Sequence, residues 1–231
     1  MMKRLMLLCE GHTEETFIQR MLIPHLAEHG VGASCTMICT SREQGRRTHR
    51  GGHLRKYEPI RRDLELLLRS KPDALTTMLD LYAFPRDMPG FPKLWPTETR
   101  KRVEVLSAAF AANIQDPRFI PGIIAHEFEG LLFSQPEAIA QIVETEDHER
   151  EILAQQLRKI AHEYATPEDI NDSPQTAPSK HLERLVPAYK KPRHGPLIAE
   201  EIGLKKLREC CPLFSEWLAK LEALGGKGLH E

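Results

Sequence analysis

The chain has 231 residues, 41% of them hydrophobic, and its 32 Lys and Arg balance its 33 Asp and Glu to a net charge of −1. That length fits one ordinary globular domain, with at most a small appendage, and suffices to bury a sizeable core. The charge balance excludes a uniformly basic chain that grips nucleic acid by bulk charge, though not a local basic face. No apolar run approaches the roughly 20 residues needed to span a bilayer, so no membrane partner is expected. The opening MMKRLMLLCEGHTEE has too short an apolar run for a secretory signal and ends in acid. The five cysteines (Cys9, Cys35, Cys39, Cys210, Cys211) are odd in number and lack zinc-ribbon spacing. They read as reduced thiols of a cytoplasmic protein.

The first half alternates strand and helix. Residues 3 to 9 are a short apolar run that predicts a buried strand, which Gly11 breaks. Thr13 to Glu28 carry helical spacing through Phe17, Ile18, Met21, Leu22 and Leu26, with Thr13 as its cap, Gly30 as its stop and Pro24 as a kink. A second strand is expected at 33 to 40, then a polar loop from Ser41 to Gly52 and a helix from about His53 to Arg69. The third strand is expected at 74 to 80. Pro85, Pro89, Pro92 and Pro96 then demand a shaped loop. A helix over 97 to 113, a strand over 118 to 125 and a helix from His126 to Phe133 follow.

Strands separated by helices predict a parallel sheet covered on both faces. After residue 134 only helices and loops are expected, near 136–144, 148–164, 179–185, 196–209 and 212–224. The expected organisation is an α/β core over 1–134 with a helical C-terminal region, 135–231, packed on it. Trp95, Trp217 and the stripe Leu213, Phe214, Trp217, Leu218, Leu221 read as core, with a partner-binding face as the other reading of the last helix.

In an open parallel sheet, function gathers beyond the carboxyl ends of the strands. Glu10 ends the first strand, Asp80 the third, and Glu127 follows the fourth, with Glu129 nearby. Glu14, four residues after Glu10, comes round to the same side, while Glu15 is expected in solvent. Clustered carboxylates repel, and a hard divalent cation with oxygen ligands, Mg²⁺ or Mn²⁺, removes that cost. Such an ion activates water and stabilises charge on a phosphoryl oxygen, the chemistry of phosphodiester cleavage. Each acid also has a plainer reading. Glu10 suits the positive end of a helix, Asp80 suits a turn or cap, and one of Glu127 and Glu129 can be solvated. His126 can serve as a general acid or base, a metal ligand or an orienting group, or as an ordinary structural histidine. Tyr82 can contact substrate or merely line the loop.

These residues carry a resemblance. CEGHTEETF after the first strand resembles the opening motif of TOPRIM-type domains, and LDLYAFP resembles their second motif, where that group usually has Asp-x-Asp. More closely, the chain resembles a bacterial family of the TOPRIM-like group. The matching segments are Glu10 to Glu15, GGHLRKY at 51–57, DLYAFP at 80–85, HEFEGLLF at 126–133, INDSPQTAPSKHL at 170–182 and IGLKKLRECCPLFSEWLAKLE at 202–222. The resemblance implies a TOPRIM-like parallel sheet flanked by helices and a Mg²⁺-binding acidic site. The resemblance also implies a relation to a wider group that includes topoisomerases, primases and the nuclease parts of overcoming-lysogenisation-defect proteins, with members of this family often encoded beside an ATPase in settings that suggest defence against phage. Glu10 then matches the first-motif glutamate, a general acid/base or metal ligand, and Asp80 the first aspartate of the second motif, a metal ligand. Tyr82 stands where the second aspartate would be, and Glu127 or Glu129 is the available replacement.

Two basic stretches can hold a phosphate backbone. Residues 41–62 include Arg46, Arg47, Arg50 and Lys56, with Gly51 and Gly52 allowing close approach. The second stretch includes Lys180, Lys190 and Lys191 near Tyr189. Both can equally be solvated surface. Neither interleaves aromatic residues with its cations, so contacts to the nucleic-acid backbone without base reading are expected. The expectation is therefore a Mg²⁺-dependent nuclease acting on DNA or RNA, with catalytic Glu10, Asp80, Glu127 and His126 and metal ligands drawn from Glu10, Glu14, Asp80, Glu127 and Glu129. The alternative is a regulatory partner of an ATPase that keeps the fold without the chemistry. No Walker-type phosphate loop is present, so ATP hydrolysis by the chain itself is not expected.

Overall fold

A computed structural model describes residues 2–39, 41–43, 46–48, 56–144, 146–170 and 176–226, with backbone alone at 41–43 and 46–48. The apolar runs become the strands of one parallel sheet: β1 (Lys3–Cys9), β2 (Val31–Met37) and β5 (Ala74–Asp80), in the order β2-β1-β5. β5 is buried along its whole length, as a central parallel strand must be. The fourth strand was expected to be continuous. Instead it is divided into β6 (Phe119–Ile120) and β7 (Ile123–Ile124), both paired with β5 in parallel. Pro121 cannot donate to a ladder. Gly122 is held by Thr77, whose hydroxyl accepts its N–H at 3.0 Å and donates to its carbonyl at 2.9 Å. A Cβ at Gly122 would lie 1.9 Å from the Thr77 carbonyl oxygen, so only glycine fits.

Between β2 and the next helix, the expected polar loop contains a short antiparallel hairpin. β3 (Ser41–Glu43) pairs with β4 (Arg46–Thr48), register Arg42↔Arg47. The period-2 pattern was hidden there because both faces are polar. The first helical stretch forms as α1 (His12–Phe17), a π-helical turn at Ile18–Leu22, and α2 (Ile23–Glu28). Pro24 has no N–H to continue the ladder, and the wide turn before it absorbs the mismatch. Its cap is Gly11 rather than Thr13, whose side chain is buried.

Side chains alternate across the sheet. Leu5, Leu7 and Cys9 of β1 and Ala74 and Met78 of β5 join the core under the C-terminal helices. Leu8 of β1 and Leu75 and Leu79 of β5 face the other way, against α3 (Glu58–Arg69) and α4 (Thr99–Ile114). By the same parity Asp80 faces the C-terminal helices.

Those helices are α5 (Phe128–Leu132), α6 (Pro136–Val143), α7 (Asp147–Ala161), α8 (Pro178–Leu185), α9 (Lys191–Cys210, broken at Gly203) and α10 (Pro212–Glu222). α5 begins two residues after His126 because His126 takes a left-handed backbone, φ 60°, and Glu127 is extended. Phe214, Trp217, Leu218 and Leu221 of α10 are buried in the core, so the last helix does not offer them as a partner face. The Trp217 indole N–H donates to the Thr76 hydroxyl at 3.0 Å, pinning α10 to β5. Trp95 is not core: it is 39% exposed. Among the described residues, no helix is long and apolar enough to cross a membrane.

Candidate active site

Three neighbouring strand ends deliver the acids. Glu10 follows β1, Asp80 is the last residue of β5, and Glu127 and Glu129 follow β7. Glu14, in the first turn of α1, is buried beside them, whereas Glu15 is half-buried and lies 3.5 Å from the His12 ring. Asp80, Glu127 and Glu129 are also buried, Glu129 completely.

The group has its own cation. Lys191, the first residue of α9, places its Nζ 2.8 Å from Glu129 Oε2 and 3.6 Å from Asp80 Oδ2. Burial opposes its charge, but Asp80, Glu129 and Glu14 together hold the ammonium far above the ordinary lysine range. The Tyr189 hydroxyl donates to Glu129 Oε1 at 3.3 Å. Burial, and then Glu129, push that phenol up.

Two of the acids also cap helices. Asp80 Oδ1 accepts the Phe128 N–H at 3.1 Å at the start of α5, and Glu127 Oε2 accepts the Ser179 N–H at 3.1 Å at the start of α8. Asp80 thus caps α5 with one oxygen, as its plainer reading expects, while its other oxygen faces Lys191.

One ammonium does not balance these carboxylates. Burial, followed by the charge of Glu14, pushes Glu10 up to about 7. Burial also lifts Asp80 and Glu129 above the usual carboxylate range, with Lys191 resisting the rise. Glu10 Oε2 is buried with no hydrogen-bond partner. An orphaned acid oxygen in an over-negative, oxygen-only cluster suits a hard divalent cation. Glu10, Glu14 and Asp80 are the residues that would hold it, although among the described residues no three ligand atoms of these acids lie within 4.8 Å of one another.

The cluster is open rather than closed around a point. Among the described residues, the one set of three ligand atoms all within 4.8 Å of one another is His25, His29 and Glu222. There, His25 Nε2 at 2.6 Å and Arg208 Nη1 at 2.5 Å already converge on Glu222 Oε1, tying α2 and α9 to α10.

The remaining predicted residues are dispersed. His126 is buried, with Nε2 3.3 Å from the Thr99 hydroxyl. Lys56 and Lys190 are exposed, and Lys180 pairs with Glu183 at 2.6 Å. Arg46 and Arg47 lie on β4, and Arg50 lies outside the described residues. The second basic stretch therefore splits, with Lys191 turned inward while Lys190 stays in solvent. Sequence reasoning missed Lys191 and Tyr189 as partners of the acids. The one local hint is a lysine opening a helix, where the macrodipole disfavours a cation.

A parallel α/β sheet with a lysine-braced carboxylate cluster beyond its strand ends defines the class of protein. Residues 9–222 match the model of the family described as Domain of unknown function (DUF4276), and the chain belongs to that family. No curated protein matches it. Among solved structures, the chain is similar to the C-terminal region of the Burkholderia pseudomallei OLD protein, with 14% identity, a TM-score of 0.47, and coverage of 97% of this chain and 100% of that one. It is similar also to the C-terminal region of the Xanthomonas campestris pv. campestris OLD protein, with 13% identity, a TM-score of 0.47 and coverage of 98% of each.

Proposed function

We propose that the protein is a TOPRIM-type nuclease that hydrolyses phosphodiester bonds of DNA or RNA with Mg²⁺ or Mn²⁺. The observation that carries this reading is the unpartnered, buried Glu10 oxygen in a carboxylate cluster at the ends of parallel strands. When bound at Glu10, Glu14 and Asp80, a divalent ion supplies Lewis acidity toward a phosphoryl oxygen and the attacking water.

The chain's own groups supply the rest. Glu10, pushed up to about 7 while no ion is bound, serves either as the third ligand, giving up its proton to the ion, or as the acceptor of the water proton, not as both at once. The Lys191 ammonium, already fixed on Asp80 and Glu129, is oriented to stabilise negative charge developing on the phosphoryl group. Asp80 and Glu127 are held by the backbone N–H groups at the starts of α5 and α8, so they need not reorganise during the reaction. Exposed Lys56, Lys180 and Lys190 are available to backbone phosphates. A place in phage defence beside an ATPase, in the cytoplasm, belongs to the same proposal and rests on the motif resemblance.

Glu10→Gln and Asp80→Asn are each expected to abolish Mg²⁺-dependent cleavage while leaving the circular dichroism spectrum unchanged. Full activity in both purified variants would overturn the site assignment. One observation favours the second reading, a regulatory partner of an ATPase without catalysis: Lys191 already bridges Asp80 and Glu129, with Tyr82 at the position of the usual second aspartate. Calorimetric titration separates the two, because that reading requires no Mg²⁺ or Mn²⁺ binding that Asp80→Asn removes.

A further inference from the structure

Two residues past Asp80 the chain opens a cavity of about 360 Å³. It lies within the size range of ligand sites, and its walls are not those of a simple apolar hole. Tyr82, 45% exposed, and Trp95, 39% exposed, border it together with Arg86 and Arg102. The proline-rich segment supplies Trp95. Phe91 stacks on the indole with centroids 5.4 Å apart and planes at 14°, covering one face of the ring. Among the described residues, Arg102 is anchored through its Nε–H, which bonds the Pro96 carbonyl at 2.6 Å, one of the five N–H groups of its guanidinium. Arg86 is exposed.

The cavity opens at the same end of the sheet as the acids, on the side packed against α3 and α4, with Leu81 and Phe84 in its lining. The Leu81 and Tyr82 N–H groups bond the Ile124 and His126 carbonyls at 2.9 and 3.0 Å, continuing the β5 ladder past Asp80. This fixes Tyr82 against the strand end that carries the cluster, and His126 lines the same cavity. Exposed aromatic rings and two guanidinium groups lining one cavity are chemistry for a flat, electron-rich ring attached to a phosphate. A base inside a duplex is stacked on both faces and cannot enter such a pocket.

We propose that this cavity receives an unpaired base adjoining the phosphate presented to the acidic cluster, so that the substrate is single-stranded or locally unpaired nucleic acid. The inference rests on the nuclease reading for what occupies the cluster, but it is tested by binding rather than cleavage. Because stacking accepts any base, it predicts strandedness and no sequence preference. It also supplies the aromatic platform that the two basic stretches lack.

The test uses the full chain carrying Glu10→Gln, without divalent metal, titrated with a fluorescein-labelled single-stranded DNA oligonucleotide and with its blunt duplex. The single strand is expected to bind more tightly than the duplex and to quench tryptophan emission, since Trp95 is exposed and Trp217 is 6% exposed. Adding Trp95→Ala is expected to abolish the quenching and weaken single-strand binding about 5- to 150-fold, leaving duplex binding unchanged. Arg86→Ala, at an exposed position, is expected to weaken single-strand binding also, and it keeps the test valid should Trp95→Ala fold poorly. Equal binding of both forms, or single-strand binding untouched by either variant, overturns the proposal. Quenching that Trp95→Ala removes supports the pocket even if the parent chain cuts nothing, and in that case only the nuclease reading falls. Conversely, metal-dependent cleavage by the parent chain without quenching leaves the nuclease reading standing and sinks the pocket.

Discussion

Replacing Glu10 by Gln is expected to stabilise the protein, and the gain should depend on pH. Glu10 follows β1 among Glu14, Asp80 and Glu127, and burial and repulsion push it from the ordinary 4.5 to about 7. Its folded pKa is raised, so the folded state binds the extra proton between those values, and stability falls as pH rises from 4.5 to 7. The full penalty, about 3 kcal/mol at pH 8, is absent below pH 4.5. Gln is close in shape to the protonated acid and carries no charge, so it removes the penalty. For a chain of this size, about 3 kcal/mol corresponds to a rise in Tm of roughly 6–12 °C. Thermal unfolding followed by circular dichroism at pH 8 and at pH 4.5 measures it. The gain should be near its full value at pH 8 and close to zero at pH 4.5. A Tm at pH 8 no higher than the parent's, or an equal gain at both pH values, would refute the picture of an over-negative buried cluster. An active-site carboxylate replaced at a gain in stability is the signature of a residue kept for chemistry rather than for packing.

Divalent-metal binding should follow the same titration. Mg²⁺ or Mn²⁺ affinity measured by calorimetry is expected to be about tenfold weaker at pH 6 than at pH 8, because Glu10 must lose its proton first, and a pH-independent affinity would exclude Glu10 as a ligand. Lys191→Met leaves Asp80 and Glu129 without their counter-ion. Lys191 is partly exposed, so the expected loss in urea unfolding at pH 8 is about 1–3 kcal/mol rather than the full cost of a buried pair, and it should shrink toward low pH as the acids protonate. Gly122→Ala drives a methyl group into the Thr77 carbonyl and the Trp217 indole. A loss of about 3 kcal/mol or more, or failure to express as folded protein, is expected, and an unchanged Tm would mean that β6 and β7 are not held as described.

Much of the sheet was legible because its strands are uninterrupted apolar runs bounded by Gly or acid. β1 and β5 form over the residues their hydrophobicity marks, and β2 is displaced by only a few. The errors share a cause, namely that local pattern was overruled by a partner that the pattern cannot name. The β3–β4 hairpin pairs polar with polar, so no face betrays it. Residues 118–125 read as one strand, but Gly122 is shaped by Thr77 and Trp217, which are distant in sequence. Trp95 read as core because tryptophan is usually well buried. Phe91 instead stacks on it at the surface, in a loop whose conformation is set by prolines rather than by periodicity.

The site divides along the same line. Its acids were visible because topology alone brings the ends of adjacent parallel strands together, and the parity that sends Met78 into the core beneath the C-terminal helices sends Asp80 there too. Their cation was invisible because Lys190 and Lys191 are neighbours in a basic run, and sequence reading groups charges by adjacency. The fold separates them: Lys191 opens α9 facing the cluster, and Lys190 remains in solvent. That inversion alters the chemistry expected of the site. A cluster of bare carboxylates would need an ion merely to fold, whereas a cluster already braced by Lys191 can fold first. It then keeps Glu10 Oε2 buried without a hydrogen-bond partner.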